Sequence, residues 1–376
     1  MKVAIVVNSS WAAYNFRLNL AKSIKNDGHE VVFIIPFDDV YSKKIQENFE
    51  CHDIRINAKS INPIIDLMLL ASLFLIYKRI KPNLVCHFTI KLNIYGSIAA
   101  RFCKILNIAN ITGLGTAFIN KSLLTFLVKL LYKFALLNAS KIFFQNREDL
   151  AYFLNEQIII KSKTTLLPGS GVDLNKFNYS PILKIESKFK FLMISRLIKD
   201  KGLYEYIGAI RIIKSKYPQK LIEFQLLGDK SANNKSAIKI SELNKWIDEG
   251  LINYLGVSDQ VQDKILDCHC VVLPSYREGM PRSILEAFAV GRPSIVSNVA
   301  GCRDIVDDKI NGFICRVKSP EDLAEKMNIM IQLPNKKRIQ FAENARNKVE
   351  NFFDEKIVIS EYLKTINNML SHEKNL

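Results

Sequence analysis

The chain has 376 residues, more than one average domain and enough for two of roughly 150–200 residues each. Its hydrophobic content of 48% is spread in short runs, which supports a sizeable core and excludes disorder except at the tail Ser371–Leu376. Lys and Arg number 53 against 37 Asp and Glu, a net charge of +16 that suits phosphorylated substrates, anionic lipid or nucleic acid, or simply a solubility surface.

In chain order, Val3–Val7 is a short apolar run that ends at Asn8 with no cleavage-like pattern, so it reads as a first strand rather than a signal peptide. Phe16–Lys25 is a helix stopped by Asp27-Gly28-His29, and Val31–Ile35 is a second strand. A strand–helix–strand unit of this kind implies a parallel sheet. Ile61–Ile80 is rich in Leu and Ile, but Asp66, Lys78 and Arg79 leave its apolar core too short to span a bilayer of about 30 Å. Leu84–Phe88 is a strand, and Asn93–Leu106 a helix.

Within Ser122–Ala139, residues Leu123, Phe126, Leu127, Leu130, Leu131, Phe134 and Leu137 recur at helical spacing beside Lys129 and Lys133. Two readings stay open there: a basic amphipathic helix lying in a lipid headgroup layer, or a core-facing helix with solvated lysines. Ile142–Phe144 and Thr164–Leu167 complete the first series, and a Pro-bearing polar break at Tyr179–Ser187 follows.

The alternation then restarts. Phe189–Ile194, Ile222–Leu227, Ile252–Leu255, Val271–Pro274 and Ser294–Val296 are strands, with helices at Leu203–Lys214 and Arg282–Ala289. The expected fold is α/β: two facing Rossmann-like domains with an interdomain cleft, where ligands bind beyond the carboxyl ends of the strands. The expected divisions are 1–180, 187–353 and a C-terminal stretch 354–376, whose helix Glu355–Met369 packs back on the first domain. Cys268 and Cys270 flank His269, but the strand that follows at once favours core packing over metal binding.

The chemistry concentrates in Ser275–Glu286. A strand ends at Pro274, and a turn bears Glu278, Gly279 and Met280. Pro281 suits the first turn of a helix, whose N–H groups can hold phosphate or sugar oxygens. Glu278 and Glu286 can face one elongated ligand, since each carboxylate accepts two hydrogen bonds from vicinal hydroxyls. Arg196 after one strand and Lys201 before the next helix can clamp a diphosphate. No GxGxxG follows the first strand, where Asn8-Ser9-Ser10 stands instead, so a dinucleotide dehydrogenase is unsupported.

The Glu278-Gly279-Met280-Pro281 turn, with Glu286 eight positions after Glu278, resembles family 4 glycosyltransferases, which are retaining enzymes of the two-domain GT-B fold. The resemblance covers essentially the whole chain and is strongest over Phe191–Phe313. It implies that Glu278 contacts donor-sugar hydroxyls, that Glu286 holds the ribose, and that Arg196 and Lys201 neutralise the leaving nucleotide diphosphate in place of a divalent ion. Gly228 at a strand end, and Val257 beside the base pocket, join the donor set. A histidine common in the first domain of that family is missing from Ile111-Thr112-Gly113-Leu114-Gly115.

Thr89–Asn93 and the Thr112–Ala117 segment are similar to bacterial transferases that add N-acetylgalactosamine or a related sugar to an undecaprenyl-diphosphate-linked sugar. That likeness makes Lys91 a candidate for the acceptor or donor phosphate and puts Thr112 on the acceptor side, while Asn15 and Arg17 lie just past the first strand, where an acceptor diphosphate could dock. The likeness implies a metal-independent, retaining hexosyltransferase with a UDP-sugar donor, no cofactor and no nucleic acid. The enzyme would sit on the cytoplasmic face of the membrane, held peripherally to anionic lipid. The alternatives are a UDP-sugar epimerase on the same scaffold and a non-catalytic, basic membrane-binding protein.

Overall fold

The computed structural model describes residues 1–57, 60, 62–114, 123–182, 188–218, 221–230 and 236–374. It divides into two compact units, one of Met1–Ser170 with Ile357–Leu376 and the other of Gly171–Lys356. Each is built on an all-parallel sheet.

The first unit begins with β1 (Lys2–Val6), α1 (Ser10–Asn26), β2 (Glu30–Ile35), α2 (Tyr41–Gln46), β3 (Glu50–Asp53), α3 (Pro63–Ile80) and β4 (Leu84–Phe88). A π turn at Leu92–Gly96 leads into α4 (Ser97–Cys103). Then come β5 (Leu106–Ile111), α5 (Leu123–Leu136), β6 (Lys141–Phe144), α6 (Arg147–Asn155) and β7 (Thr164–Leu166). The strand order is β3-β2-β1-β4-β5-β6-β7. α1 starts earlier than its apolar pattern suggests because Ser9 caps it, accepting from Ala12 N at 3.1 Å.

The sheet is covered on both sides, so its strands are apolar throughout rather than alternating. Val3, Ile5, Val31 and Phe33 pack with Leu20 and Ile24 of α1. Ala4, Val6, Val32 and Ile34 face α3 through Leu69, Leu73 and Tyr77. A single helix over 93–106 is not what forms. Lys104 adopts a left-handed conformation that ends α4, and the chain continues as the buried strand β5. Asn107 and Asn110 inside that strand disguise it, since they are polar yet buried.

On α5 the apolar stripe picked out by the spacing faces outward, so it is not the core-facing side of that helix. Thr125, Tyr132, Ala135 and Leu136 are the buried side, while Phe126, Leu130 and Phe134 are exposed.

The second unit contains β8 (Phe189–Ile194), α7 (Leu203–Lys216), β9 (Ile222–Leu227), α8 (Ile240–Asp248), β10 (Asn253–Gly256), α9 (Val261–Leu266) and β11 (Cys270–Leu273). It continues through α10 (Arg282–Val290), β12 (Ser294–Ser297), α11 (Ala300–Ile305), β13 (Gly312–Cys315), α12 (Pro320–Gln332) and α13 (Asn335–Phe352). Its six-strand order, β10-β9-β8-β11-β12-β13, repeats that of the first sheet up to β6, where the first sheet adds β7.

This unit starts at Gly171, ahead of the break at Tyr179–Ser187, because Val172 and Phe177 bury in its core. Cys268, His269 and Cys270 are core residues, with the His269 ring stacked 5.0 Å from Phe189. The last helix, α14 (Glu355–Lys374), sends Val358, Tyr362, Ile366 and Leu370 into the core of the first unit. In each sheet the order reverses at one place: between β1 and β4, and between β8 and β11. Beyond the carboxyl ends of such strands is where open α/β sheets bind ligands.

Candidate active site

The reversal point of the second sheet is closed by glycines. Ser195, just past β8, donates its N–H to Leu227 O at 3.0 Å. A Cβ on Gly228 would lie 1.8 Å from Ser195 O, so only glycine lets β9 end there. Gly202 has φ +77°, and its Cβ would meet Pro274 O at 2.1 Å. That close approach presses the turn bearing Lys201 against the end of β11. The main chain of Gly279 is held equally close to Gly301, at the start of α11.

The charged groups follow from this framework. Lys201 Nζ lies 2.5 Å from Glu278 Oε1, with both side chains largely buried. Tyr276 ties their two loops together, donating its N–H to Asp200 O at 2.9 Å and its phenol to Glu205 Oε1 at 2.7 Å. Arg196 is exposed, and among the described residues its side chain has no hydrogen bond or ion pair.

Eight residues past Glu278, Glu286 is reached by Arg282 on the preceding turn, Nε to Oε1 at 3.3 Å, and Arg282 also donates to Gly171 O at 2.5 Å. Burial raises the Glu286 carboxyl above its ordinary value, opposed by the charges of Arg282 and Lys176. Pro281 occupies the cap position before α10. Met280 packs on the core beneath that helix. Tyr254 donates to Gly228 O at 2.8 Å. Val257 is 70% exposed, projecting beyond β10.

The structure therefore brings Lys201 and Glu278 into contact, leaves Arg196 open to solvent, and pairs Glu286 within its own helix. Tyr276 and Glu205 escaped the sequence reading. The signal for Tyr276 was its place inside the motif loop; Glu205 had none.

The reversal point of the first sheet is held differently. Thr89, just past β4, has φ +77°, an outlying conformation for a β-branched residue. Lys91 follows, its Nζ 2.5 Å from Asp66 Oδ1 of α3, and Tyr95 donates to Asp66 Oδ2 at 2.9 Å. Asn15 spends its side-chain N–H₂ on Trp11 O at 3.0 Å. Arg17 is buried with its guanidinium 4.1 Å from the centre of the Phe88 ring. Thr112 is half-buried just after β5, whereas Gly115 lies outside the described residues. Beneath this turn His87 accepts or donates to Tyr77 OH at 2.8 Å, and full burial pushes its pKa down to about 3, so it is neutral. No group of three or more His, Cys, Asp or Glu among the described residues could hold a metal ion.

Comparison with known proteins matches residues 175–348 to the family described as glycosyl transferases group 1, and residues 2–146 to glycosyl transferase 4-like. The chain is 27% identical to an N,N'-diacetylbacillosaminyl-diphospho-undecaprenol alpha-1,3-N-acetylgalactosaminyltransferase from Campylobacter jejuni, over 99% of this chain and 100% of that one. It is 29% identical to a UDP-Gal:alpha-D-GlcNAc-diphosphoundecaprenol alpha-1,3-galactosyltransferase from Escherichia coli, over 79% and 78% of the two chains. Among solved structures, Anabaena HepE in complex with UDP-glucose superposes with a TM-score of 0.79 at 19% identity, covering 98% of this chain and all of the other. The likeness to that structure bears out the expected pair of Rossmann-like domains.

Proposed function

We propose that this chain works as a glycosyl transferase, on the glycosyl transferase 4-like match over residues 2–146 and the group 1 match over residues 175–348. From that premise we propose that it moves a hexose or N-acetylhexosamine, N-acetylgalactosamine first, from a UDP-sugar to a polyprenyl-diphosphate-linked sugar in surface-glycan assembly. The observation that carries the reading is the second-sheet reversal point, where Lys201 and Glu278 meet behind glycine-tight turns and Arg196 is exposed.

The breaking bond joins the anomeric carbon to the diphosphate, so negative charge grows on the leaving phosphate. Arg196 and Lys201 supply fixed positive potential for that charge, doing the work of a divalent ion. Glu278 then exchanges Lys201 for donor-sugar hydroxyls, and Glu286 accepts from the ribose. Gly228 and the Gly279-Met280-Pro281 turn let the main chain approach the donor.

The acceptor belongs to the first unit, with Lys91, Asn15, Arg17 and Thr112 at or near its strand ends. Retention of anomeric configuration follows from front-face attack, in which the departing phosphate oxygen takes the acceptor hydroxyl proton. The two relatives are named for diphosphoundecaprenol substrates, which supports a lipid-linked acceptor and peripheral work at the cytoplasmic face of the membrane. No described helix is long and apolar enough to cross a membrane.

The test is a product assay with a panel of UDP-sugars and a short polyprenyl-diphosphate sugar. Transfer with retained configuration, undiminished by a chelator, is the expected result. Conversion of the donor without an acceptor would identify an epimerase instead. Failure with every UDP-sugar would remove the reading.

A further inference from the structure

On α5, Phe126, Leu127, Leu130, Leu131 and Phe134 are 57%, 47%, 49%, 37% and 48% exposed, and they recur along one side of the helix. α3 repeats the arrangement: Ile64, Leu67, Met68 and Leu75 are each 64–68% exposed, while Leu69, Leu73 and Tyr77 fill the core behind them. α4 lies between the two helices. It contributes Phe102, 66% exposed, and Arg101, whose guanidinium sits 5.5 Å from the centre of the Phe134 ring. The three helices cover the same side of the first sheet, so the stripes join into one apolar face. Exposed apolar side chains gathered on one face mark a docking surface.

Charge identifies the occupant. Across 63–81, 97–104 and 123–137 there are seven Lys or Arg and one acid, Asp66; that acid is taken up by Lys91 and Tyr95, and Lys129 pairs with Glu156 at 2.9 Å, which leaves six cations in excess. A second copy docked about a two-fold axis would set these cations against themselves. An anionic bilayer neutralises them, while aliphatic and Phe side chains enter the headgroup boundary. We propose that α3, α4 and α5 form a single bilayer-seating face to which both apolar stripes contribute. The inference rests on the lipid-linked acceptor proposed above and adds the surface that brings the enzyme to it.

The test is flotation of the full chain with phosphatidylglycerol–phosphatidylcholine vesicles and with phosphatidylcholine alone. Phe126→Gln/Leu130→Gln and Leu67→Gln/Leu75→Gln each keep good helix formers and remove one stripe. Binding to the anionic vesicles, weakened by salt and reduced about tenfold or more by either pair, is expected. Thermal melting and transfer to a short, water-soluble acceptor should be unchanged in both. Wild-type-like binding by either pair, or equal binding to phosphatidylcholine alone, overturns the composite face. A wild-type dimer in sedimentation that both pairs dissolve, with no vesicle binding, makes it a protein interface instead. Loss of transfer in the wild type on every acceptor defeats the enzymatic reading, not this one.

Discussion

The two sheets share one strand order over six strands, yet their reversal points are secured by different means. In the second unit the main chain does it: Gly202, Gly228 and Gly301 sit where any side chain would strike a backbone atom. The charged groups then meet over a fixed floor, Lys201 on Glu278 and Arg282 on Glu286. Among the described residues of the first unit, the glycine that presses on β4 is Gly96, and its Cβ would strike the His87 ring rather than main chain. Thr89 takes a left-handed conformation at the end of that strand, and Lys91 is held by an acid on a different helix. On the function proposed above, the contrast is one between a rigid seat for the nucleotide-sugar and a side-chain-built seat for a larger acceptor. Changes in the second unit should strike chemistry or folding. Changes in the first should strike them less.

The sharpest break comes from Arg196→Ala. Its guanidinium is exposed and makes no bond among the described residues, so folding should not notice its loss. If it stabilises the departing diphosphate, turnover should fall by about 10²–10³-fold. Steady-state kinetics alongside a thermal melt decide it. Turnover within a few-fold of wild type at an unchanged melting temperature would remove Arg196 from the mechanism.

Backbone closure makes the next largest claim. Gly202→Ala puts a Cβ 2.1 Å from Pro274 O at φ +77°, and should cost about 2–4 kcal/mol of stability. Thr89→Gly has the opposite expectation: it relieves a left-handed Thr and should be neutral or stabilising by up to about 1 kcal/mol. Denaturant midpoints measure both. Equal destabilisation by the two would erase the distinction between the reversal points.

What the sequence disclosed follows the same division. The second-unit residues lie close together along the chain, at 196–202 and 275–286, and a turn that needs Glu, Gly and Pro in series displays them openly. The partners of the first-unit end come from far away: Asp66 is on α3, and Tyr362, which accepts from Asn110 at 2.5 Å, is on α14. Nothing local in the sequence marks such pairs. β5 was hidden because its buried asparagines look like surface polarity. The stripe on α5 was visible as a period, but a period does not say whether its apolar side meets a core or stays outside. That depended on Thr125, Tyr132 and Leu136 having claimed the inner side.

A smaller effect separates binding from catalysis at the second-unit site. Lys201 is occupied by Glu278 in the free protein, so a diphosphate must compete for it. Glu278→Gln removes the competitor, and UDP should bind up to about tenfold tighter even as transfer slows, because charge-assisted bonds to phosphate are the strong kind. Calorimetric titration with UDP reads this directly. Weaker UDP binding in the variant would mean that the pair braces the site rather than competing for it.

The smallest expected effect is one of pH, and it belongs to Glu286. Burial raises its pKa above the ordinary value near 4.5, against the pull of Arg282 and Lys176. Below the ordinary value the carboxyl is protonated folded or unfolded and contributes nothing to the pH dependence. Above it the unfolded chain has released a proton that the folded chain still holds. Stability of the ligand-free protein therefore falls as pH rises through the window between the two values, then levels off. Ribose hydroxyls donate to the ionised form, so UDP affinity should move the other way across the same window, rising by no more than about tenfold per pH unit. Glu286→Gln, fixed neutral, should flatten both slopes. A variant that kept the wild-type pH dependence of UDP binding would show that some other group titrates, and would take the ribose away from Glu286.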